Sequence, residues 1–354
     1  MKVLVIAQHV NFFRNLDAVM RELSARGHDV LFLHGAAIDD PRAARKFERK
    51  ADRGKVVLTR GLALAESSIA RVTSGHRPKP PEPWCRVLRY GRQVMNRATF
   101  LRRNHPSPTR VVDVLERDMP PRLATALSRT PWKQVLRLRP TMRAWRVIED
   151  VSPPSETLTA LLEDIRPQVV IVSPCVWPKD LVEADYIRAA RALRIPTIGY
   201  VNSWDNLTSK GTVHVLPDRF VVWNEPMARE AEQLHVVPRR VISVTGAPHL
   251  DFFFAMRPTA TRDEVCAEMG CPADRPYIVY LCSSRTLIAS EVDVVTRLAA
   301  ALRARIPDRT PTIVVRPHPT NAGPWDDVEL PGVVVYPRGG DQSDSPESWQ
   351  QYFN

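Results

Sequence analysis

Short aliphatic runs alternate with segments of helical period along most of this chain, and that rhythm restricts the fold more than any other feature. Val3-Leu4-Val5-Ile6-Ala7 is apolar throughout, as expected of a strand buried on both faces of a parallel sheet. Residues 11–26 then carry Phe12, Leu16, Val19, Met20 and Leu23 at helical spacing, and Gly27 supplies a stop. Residues 29–33 form the next strand, so the chain opens with a β-α-β unit and a right-handed crossover. The intervening loop, Gln8-His9-Val10, lacks the G-x-G-x-x-G pattern, and no dinucleotide site is read there. A third strand is expected at 55–58, and 67–83, rich in proline, serine and charge, is expected to be a loop.

The rhythm resumes at residue 155, where a serine offers a helix N-cap. Helix 155–165, strand 169–172, helix 179–193 and strand 197–201 follow in order. After the polar loop 202–211 come strand 219–223, helix 225–234 and strand 241–244. A second unit has strands at 277–281, 312–315 and 333–336, a helix at 290–305, and the start of a helix at 345–354. The expected class is α/β with two Rossmann-like domains: 1–250 and 276–354, joined by a linker at 251–275. A doubly wound domain takes about 100–150 residues. Fewer than 80 follow the linker, so the second domain is expected to be partial, truncated at its C-terminus.

The net charge of +11 is concentrated in a basic helical insert, 84–147, which has fifteen basic and three acidic residues. Trp84, Val87, Leu88, Gly91, Val94, Met95, Ala98 and Leu101 fall on one helical face, with arginines at the other positions. Further helical pieces are expected at 111–117 and 122–127. The insert is either an arginine-rich lid on the first domain or a contact with anionic lipid, where each basic residue adds about 1 kcal/mol. No nucleic-acid motif accompanies the charge, and nucleic-acid binding is not expected. No apolar run approaches the ~20 residues that span a bilayer, and the first strand is too short for a signal peptide. The expected location is the cytoplasm, with a peripheral contact at the inner face of the plasma membrane. The five cysteines, Cys85, Cys175, Cys266, Cys271 and Cys282, are scattered and lack zinc-ribbon spacing. They are read as reduced thiols, and neither a metal nor a cofactor is expected.

The chemistry concentrates at strand ends. Arg316-Pro317-His318-Pro319 directly follows a strand, which places a cation and an imidazole where open α/β sheets bind ligands. Arg316 suits a phosphate, and His318 suits a departing phosphate as hydrogen-bond or proton donor. Ser283, Ser284, Arg285 and Thr286 lie at the preceding strand-to-helix turn and supply hydroxyls, N–H groups and a guanidinium for the same phosphates. In the loop 202–211, Trp204 offers a stacking face, and Asn202, Asn206, Ser209 and Lys210 offer polar contacts to substrate. The same loop is equally consistent with asparagine and aspartate side chains bonding their own backbone. An acceptor hydroxyl needs a base from the first domain, for which Asp205 and His9 are the candidates.

Four segments carry a family resemblance: 203–211 (Ser-Trp-Asp-Asn-Leu-Thr-Ser-Lys-Gly), 220–224 (Phe-Val-Val-Trp-Asn), 244–248 (Val-Thr-Gly-Ala-Pro) and the Arg-Pro-His-Pro turn. Together with the two-domain pattern they resemble GT-B glycosyltransferases, and within them the CDP-glycerol glycerophosphotransferase and surface-polysaccharide group. The resemblance covers most of 155–354 and, more loosely, 1–35; it leaves the insert unexplained. It implies a glycosyl or glycerophosphate transfer from a nucleotide-activated donor to a cell-surface polysaccharide or lipid-linked acceptor, with His318 at the donor phosphates. It also implies a later serine-rich strand end and acidic helix, which this sequence does not contain. A non-catalytic truncated relative is the second reading; UDP-N-acetylglucosamine 2-epimerases share the architecture and the His-Pro turn, so an epimerase is the third.

Overall fold

A computed structural model gives the fold; it describes residues 1–8, 12–35, 72–102, 125, 134, 139–177, 181–285, 287–319 and 321–339. The chain divides into two units, Met1–Asp251 and Phe252–Asn354. In the first, seven parallel strands run in the order β3-β2-β1-β4-β5-β6-β7. These are β1 (Lys2–Ala7), β2 (Asp29–His34), β3 (Val72–His76), β4 (Val169–Ser173), β5 (Thr197–Tyr200), β6 (Arg219–Val222) and β7 (Ile242–Val244). The chain winds outward to β3, then returns past β1 and winds the other way, so the sheet reverses between β1 and β4.

Alternation along β1 shows why the aliphatic run must be a central strand. Val3, Val5 and Ala7 pack with Phe13, Leu16 and Met20 of helix α1 (Phe13–Ala25) on one face. Leu4 and Ile6 pack on the other with Leu158 and Leu162 of a later helix, and with Val182, Tyr186 and Ile187 of another. The expected strand at 55–58 lies outside the described residues. The strand that pairs with β2 is β3, within the stretch expected to be a loop. Its Val-Thr-Ser-Gly-His sequence has no apolar run, which an edge position tolerates.

The insert forms helices α2 (Pro83–Arg102) and α3 (Arg139–Val151), followed by α4 (Glu156–Ile165). The pieces expected at 111–117 and 122–127 lie outside the described residues. Ser155 caps α4 by accepting from the Leu158 N–H, and its hydroxyl donates to the Glu82 carboxylate just before α2. Gly91 lies so close to Trp145 of α3 that a Cβ would come within 1.8 Å of the indole. The expected division of α2 into an apolar face and a solvated arginine face holds only in part: Leu88, Met95 and Ala98 are buried and Arg86 is exposed. Val87 is 65% exposed, whereas Arg92 and Arg97 are buried. The reason is acidic partners distant in sequence. Arg92 donates to Glu149 of α3 at 2.6 and 2.8 Å, to the Leu181 carbonyl at 2.9 Å, and pairs with Asp185 of α5 (Val182–Ala192) at 2.8 Å. Arg77 pairs with Glu183 at 2.9 Å, also buried. Burying a charge is tolerable only with such pairing.

The second unit has three parallel strands in the order β10-β9-β8: β8 (Tyr277–Leu281), β9 (Thr312–Arg316) and β10 (Val333–Val335). Between the units' strands run α6 (Asn206–Ser209), α7 (Glu225–His235), α8 (Asp251–Ala255), α9 (Arg262–Met269) and, after β8, α10 (Val292–Arg305). The stretch 251–275 therefore carries α8 and α9, and Cys266 and Met269 of α9 pack on Val314 of β9. Ile313 and Val315 face the other way, onto Val295 and Ala299 of α10. A capping box, Thr261 with Glu264, starts α9, and Gly270 at φ +75° ends it. Among the described residues β8 is an edge strand, and its Ile278, Val279 and Leu281 are 39%, 45% and 65% exposed.

Candidate functional site

In the second unit, parallel register sets Leu281 beside Arg316, and the Cys282 N–H donates to the Arg316 carbonyl at 3.0 Å. The two turns singled out in the sequence therefore lie side by side at the carboxyl edge of the sheet. Asn321 ties them together: its N–H donates to the His318 carbonyl at 2.7 Å and its Nδ2 to the Ile288 carbonyl at 3.1 Å. Arg316 is buried, His318, Ser283 and Ser284 are half-buried, and Arg285 is exposed. Thr286 lies outside the described residues.

Sequence reasoning missed Glu291. This buried carboxylate, at the N-cap of α10, accepts from the Ser283 N–H at 2.7 Å and the Tyr280 hydroxyl at 3.1 Å. It fixes the turn, and it already uses one N–H that a phosphate was expected to take. A phosphate at this edge is left with the serine hydroxyls, Arg285 and Arg316. Burial, with Glu291 adding to it, pushes the Cys282 thiol up to about 12, so it is no nucleophile. The signal for Glu291 was present: an acidic residue at the start of a helix after a polar turn.

In the first unit, the loop after β5 is largely self-bonded. The Ser203 N–H donates to Asn206 Oδ1 at 3.1 Å, and the Ser209 hydroxyl donates to Asp205 Oδ2 at 2.7 Å. Lys210 pairs with the same carboxylate at 3.3 Å. Burial acts to raise the Asp205 carboxyl, but the hydrogen bonds from Ser203 and Ser209 and the Lys210 charge together hold it below the usual range. A carboxylate so stabilised is a weak base. Trp204 is 70% exposed and open for stacking. Asn202 is buried beside Ser173, whose hydroxyl donates to its side-chain oxygen. His9 lies outside the described residues.

Helix α2 of the insert holds this loop in place. Asn96 Oδ1 accepts from the Thr212 N–H and from His214 Nε2, each at 2.9 Å, while Asn96 Nδ2 donates to the Trp177 carbonyl at 3.1 Å. His235 donates from Nε2 to the Leu207 carbonyl at 2.8 Å and accepts the Val213 N–H at Nδ1, which fixes it as a neutral tautomer. Gly211, at φ +145°, lies where a Cβ would come within 2.6 to 2.9 Å of the Asn96 amide. A second cluster was also missed: Trp223 Nε1 donates to the Tyr200 hydroxyl at 3.1 Å, and the His249 ring lies 4.8 Å from the indole. Its members sit at or just beyond the ends of β5, β6 and β7, where a histidine and aromatics were legible.

Among the described residues no group of three or more histidine, cysteine or acidic side chains could hold a metal ion. No described helix is long and apolar enough to cross a membrane.

No family model and no curated protein matches the chain. Among solved structures, the chain is similar to UDP-GlcNAc 2-epimerase from Neisseria meningitidis, with 13% identity and a TM-score of 0.47 over 100% of this chain and 74% of that one. The UDP-GlcNAc 2-epimerase from Methanocaldococcus jannaschii gives 12% identity and 0.42 over 95% and 72%. A glycotransferase of kitacinnamycin gives 13% and 0.42 over 94% and 70%. The α/β class with two parallel-sheet units rests on the strand order and register, not on these likenesses.

Proposed function

We propose that this chain is a transferase that moves a glycosyl or glycerophosphate group from a nucleotide-activated donor to a cell-surface polysaccharide or lipid-linked acceptor. One observation carries the reading: the β8–β9 register sets Ser283, Ser284 and Arg285 beside Arg316 and His318 at one carboxyl edge. Arg316 and Arg285 neutralise the donor phosphates there. His318 stabilises or protonates the phosphate that departs. In the first unit, taken by itself, Trp204 offers a stacking face to a sugar or base, and Asn202 and Lys210 offer polar contacts to substrate. The base for the acceptor hydroxyl is His9 rather than Asp205, whose carboxylate is occupied by Ser209 and Lys210. No cofactor beyond the donor is required. Contact with an anionic membrane belongs to the same reading; the positive surplus of 84–147 supports it, although Arg92 and Arg97 are buried and contribute nothing to it.

The test uses UDP-N-acetylglucosamine and CDP-glycerol with a crude envelope-polymer acceptor, and measures nucleotide released. His318→Ala is expected to slow release about 100-fold or more, and Arg316→Ala to weaken binding of UDP or CDP. Normal turnover in His318→Ala sinks the proposal. Isomerisation of UDP-N-acetylglucosamine without acceptor establishes the epimerase reading in its place.

A further inference from the structure

Two of the five cysteines meet at the end of one helix, and the donor site just described uses neither. Helix α9 stops at Gly270, whose φ is +75°. There the Gly270 N–H donates to the Ala267 carbonyl at 3.2 Å and the Cys271 N–H to the Cys266 carbonyl at 2.9 Å. These two bonds define the Schellman ending, in which the residues joined by the outer bond commonly bring their side chains together. In α9 those residues are Cys266 and Cys271, and their sulfurs lie in hydrogen-bonding contact. A direct backbone hydrogen bond keeps the two Cα atoms inside the about 7 Å that a disulfide can bridge.

Both side chains are buried, 1% and 7% exposed, in one cluster with Met269 and with Val314 of β9. Burial first, then Cys266, pushes the Cys271 thiol above its ordinary value, so little thiolate forms while the turn is closed. The other side of the turn faces water: Ala267, Glu268, Gly270 and Pro272 are exposed. A helix of eight residues is marginal without its packing, and short exposed elements are the ones that open locally without global unfolding. Such opening frees both thiols together. Burial also raises Cys85, Cys175 and Cys282, but no cysteine is among the groups acting on them.

We propose that Cys266 and Cys271 are an oxidisable pair that closes to an intrachain disulfide across the end of α9. The oxidant is a low-molecular-weight disulfide such as oxidised glutathione. The thiolate of Cys271, the more exposed of the two, attacks one of its sulfurs and releases the first small thiol. Cys266 then attacks Cys271 Sγ and releases the second. The two S–H protons go to the departing thiolates, one S–S bond forms in the chain, and the external S–S bond is reduced to two thiols. The cross-link fixes the end of α9 where it packs on β9, the strand whose carboxyl edge carries Arg316 and His318. The pair stands on the geometry of α9 and does not depend on the transferase reading.

Incubation of the full chain with oxidised glutathione, then alkylation and non-reducing peptide mass spectrometry, tests this. Cys266 and Cys271 are expected to appear linked to each other, two hydrogens lighter, at least about tenfold sooner than any other cysteine is modified. Hydrogen exchange at the amides of 266–271 is expected to slow at least about tenfold in the linked chain, and to stay unslowed when Cys266→Ser receives the same treatment. Glutathione adducts on both cysteines without a link, a link to any other cysteine, or no modification of the pair overturns the proposal. A link that speeds exchange at 266–271 overturns it too, because the bond then distorts the turn rather than fitting it.

Discussion

Arg92→Met should destabilise the first unit severely, and the size of the effect follows from what it leaves behind. Arg92 is fully buried, and removing it strips Glu149 of two hydrogen bonds and Asp185 of its 2.8 Å partner. Both carboxylates are about 1% exposed, so water cannot replace the guanidinium. Arg188 remains at 3.9 Å from each and Arg89 at 3.5 Å from Asp185, longer contacts than those lost. Removing one partner of a buried pair costs about 3–5 kcal/mol, a large share of the about 5–15 kcal/mol that holds a domain folded. Arg239→Met is the control: it breaks a 2.9 Å pair with Glu225 whose side chains are 48% and 57% exposed, and such pairs are worth about 0–1 kcal/mol. A chain of two units need not unfold in one step, so hydrogen exchange at the amides of α5 is the suitable assay. The opening free energy there should fall by about 3–5 kcal/mol in Arg92→Met and by under about 1 kcal/mol in Arg239→Met. Equal effects in the two variants would refute the claim that burial makes the Arg92 network costly to break.

Two further outcomes follow from the loop braced by α2. Burial first, then the charges of Arg92 and Arg146, hold His214 well below its ordinary pKa. The unfolded chain therefore takes up a proton near about pH 6.5 that the folded chain refuses. His214 leaves stability intact above that pH and lowers it as pH falls toward the folded value, by up to about 1.4 kcal/mol per unit; His214→Gln should flatten a plot of first-unit stability between pH 7.5 and 5.5. Gly211→Ala combines a strained φ with a collision against Asn96 and should cost about 1–3 kcal/mol, with faster proteolytic cleavage between 202 and 214; an unchanged digestion pattern contradicts it.

The legibility of this chain followed the range of its interactions. β1, α1 and β2 could be placed because their aliphatic spacing is a local signal, and the run Val3–Ala7 admits only a doubly buried strand. The adjacency of the Ser283 and His318 turns was legible because consecutive strands of such units pair in parallel. β3 was missed because Val72–His76 is polar at a sheet edge, where little apolar burial is demanded. The inward arginines could not be foreseen: Arg92 meets Glu149 and Asp185 only after 57 and 93 intervening steps of chain have folded back. Glu291 was overlooked because a carboxylate at a helix start has a sufficient local explanation. The self-bonded state of Asp205 was one of two readings that the sequence left open.

The open side of β8 bears on how the isolated chain behaves at high concentration. Among the described residues its backbone N–H and C=O groups on that side have no strand neighbour, and Ile278, Val279 and Leu281 flank them with exposed apolar surface. Natural sheets usually guard such a border with charge, proline or a bulge, and Tyr-Ile-Val-Tyr-Leu contains none of the first two. An extended peptide of alternating apolar residues would find a ready template there, so loss of the purified chain from solution is expected to quicken as its concentration rises.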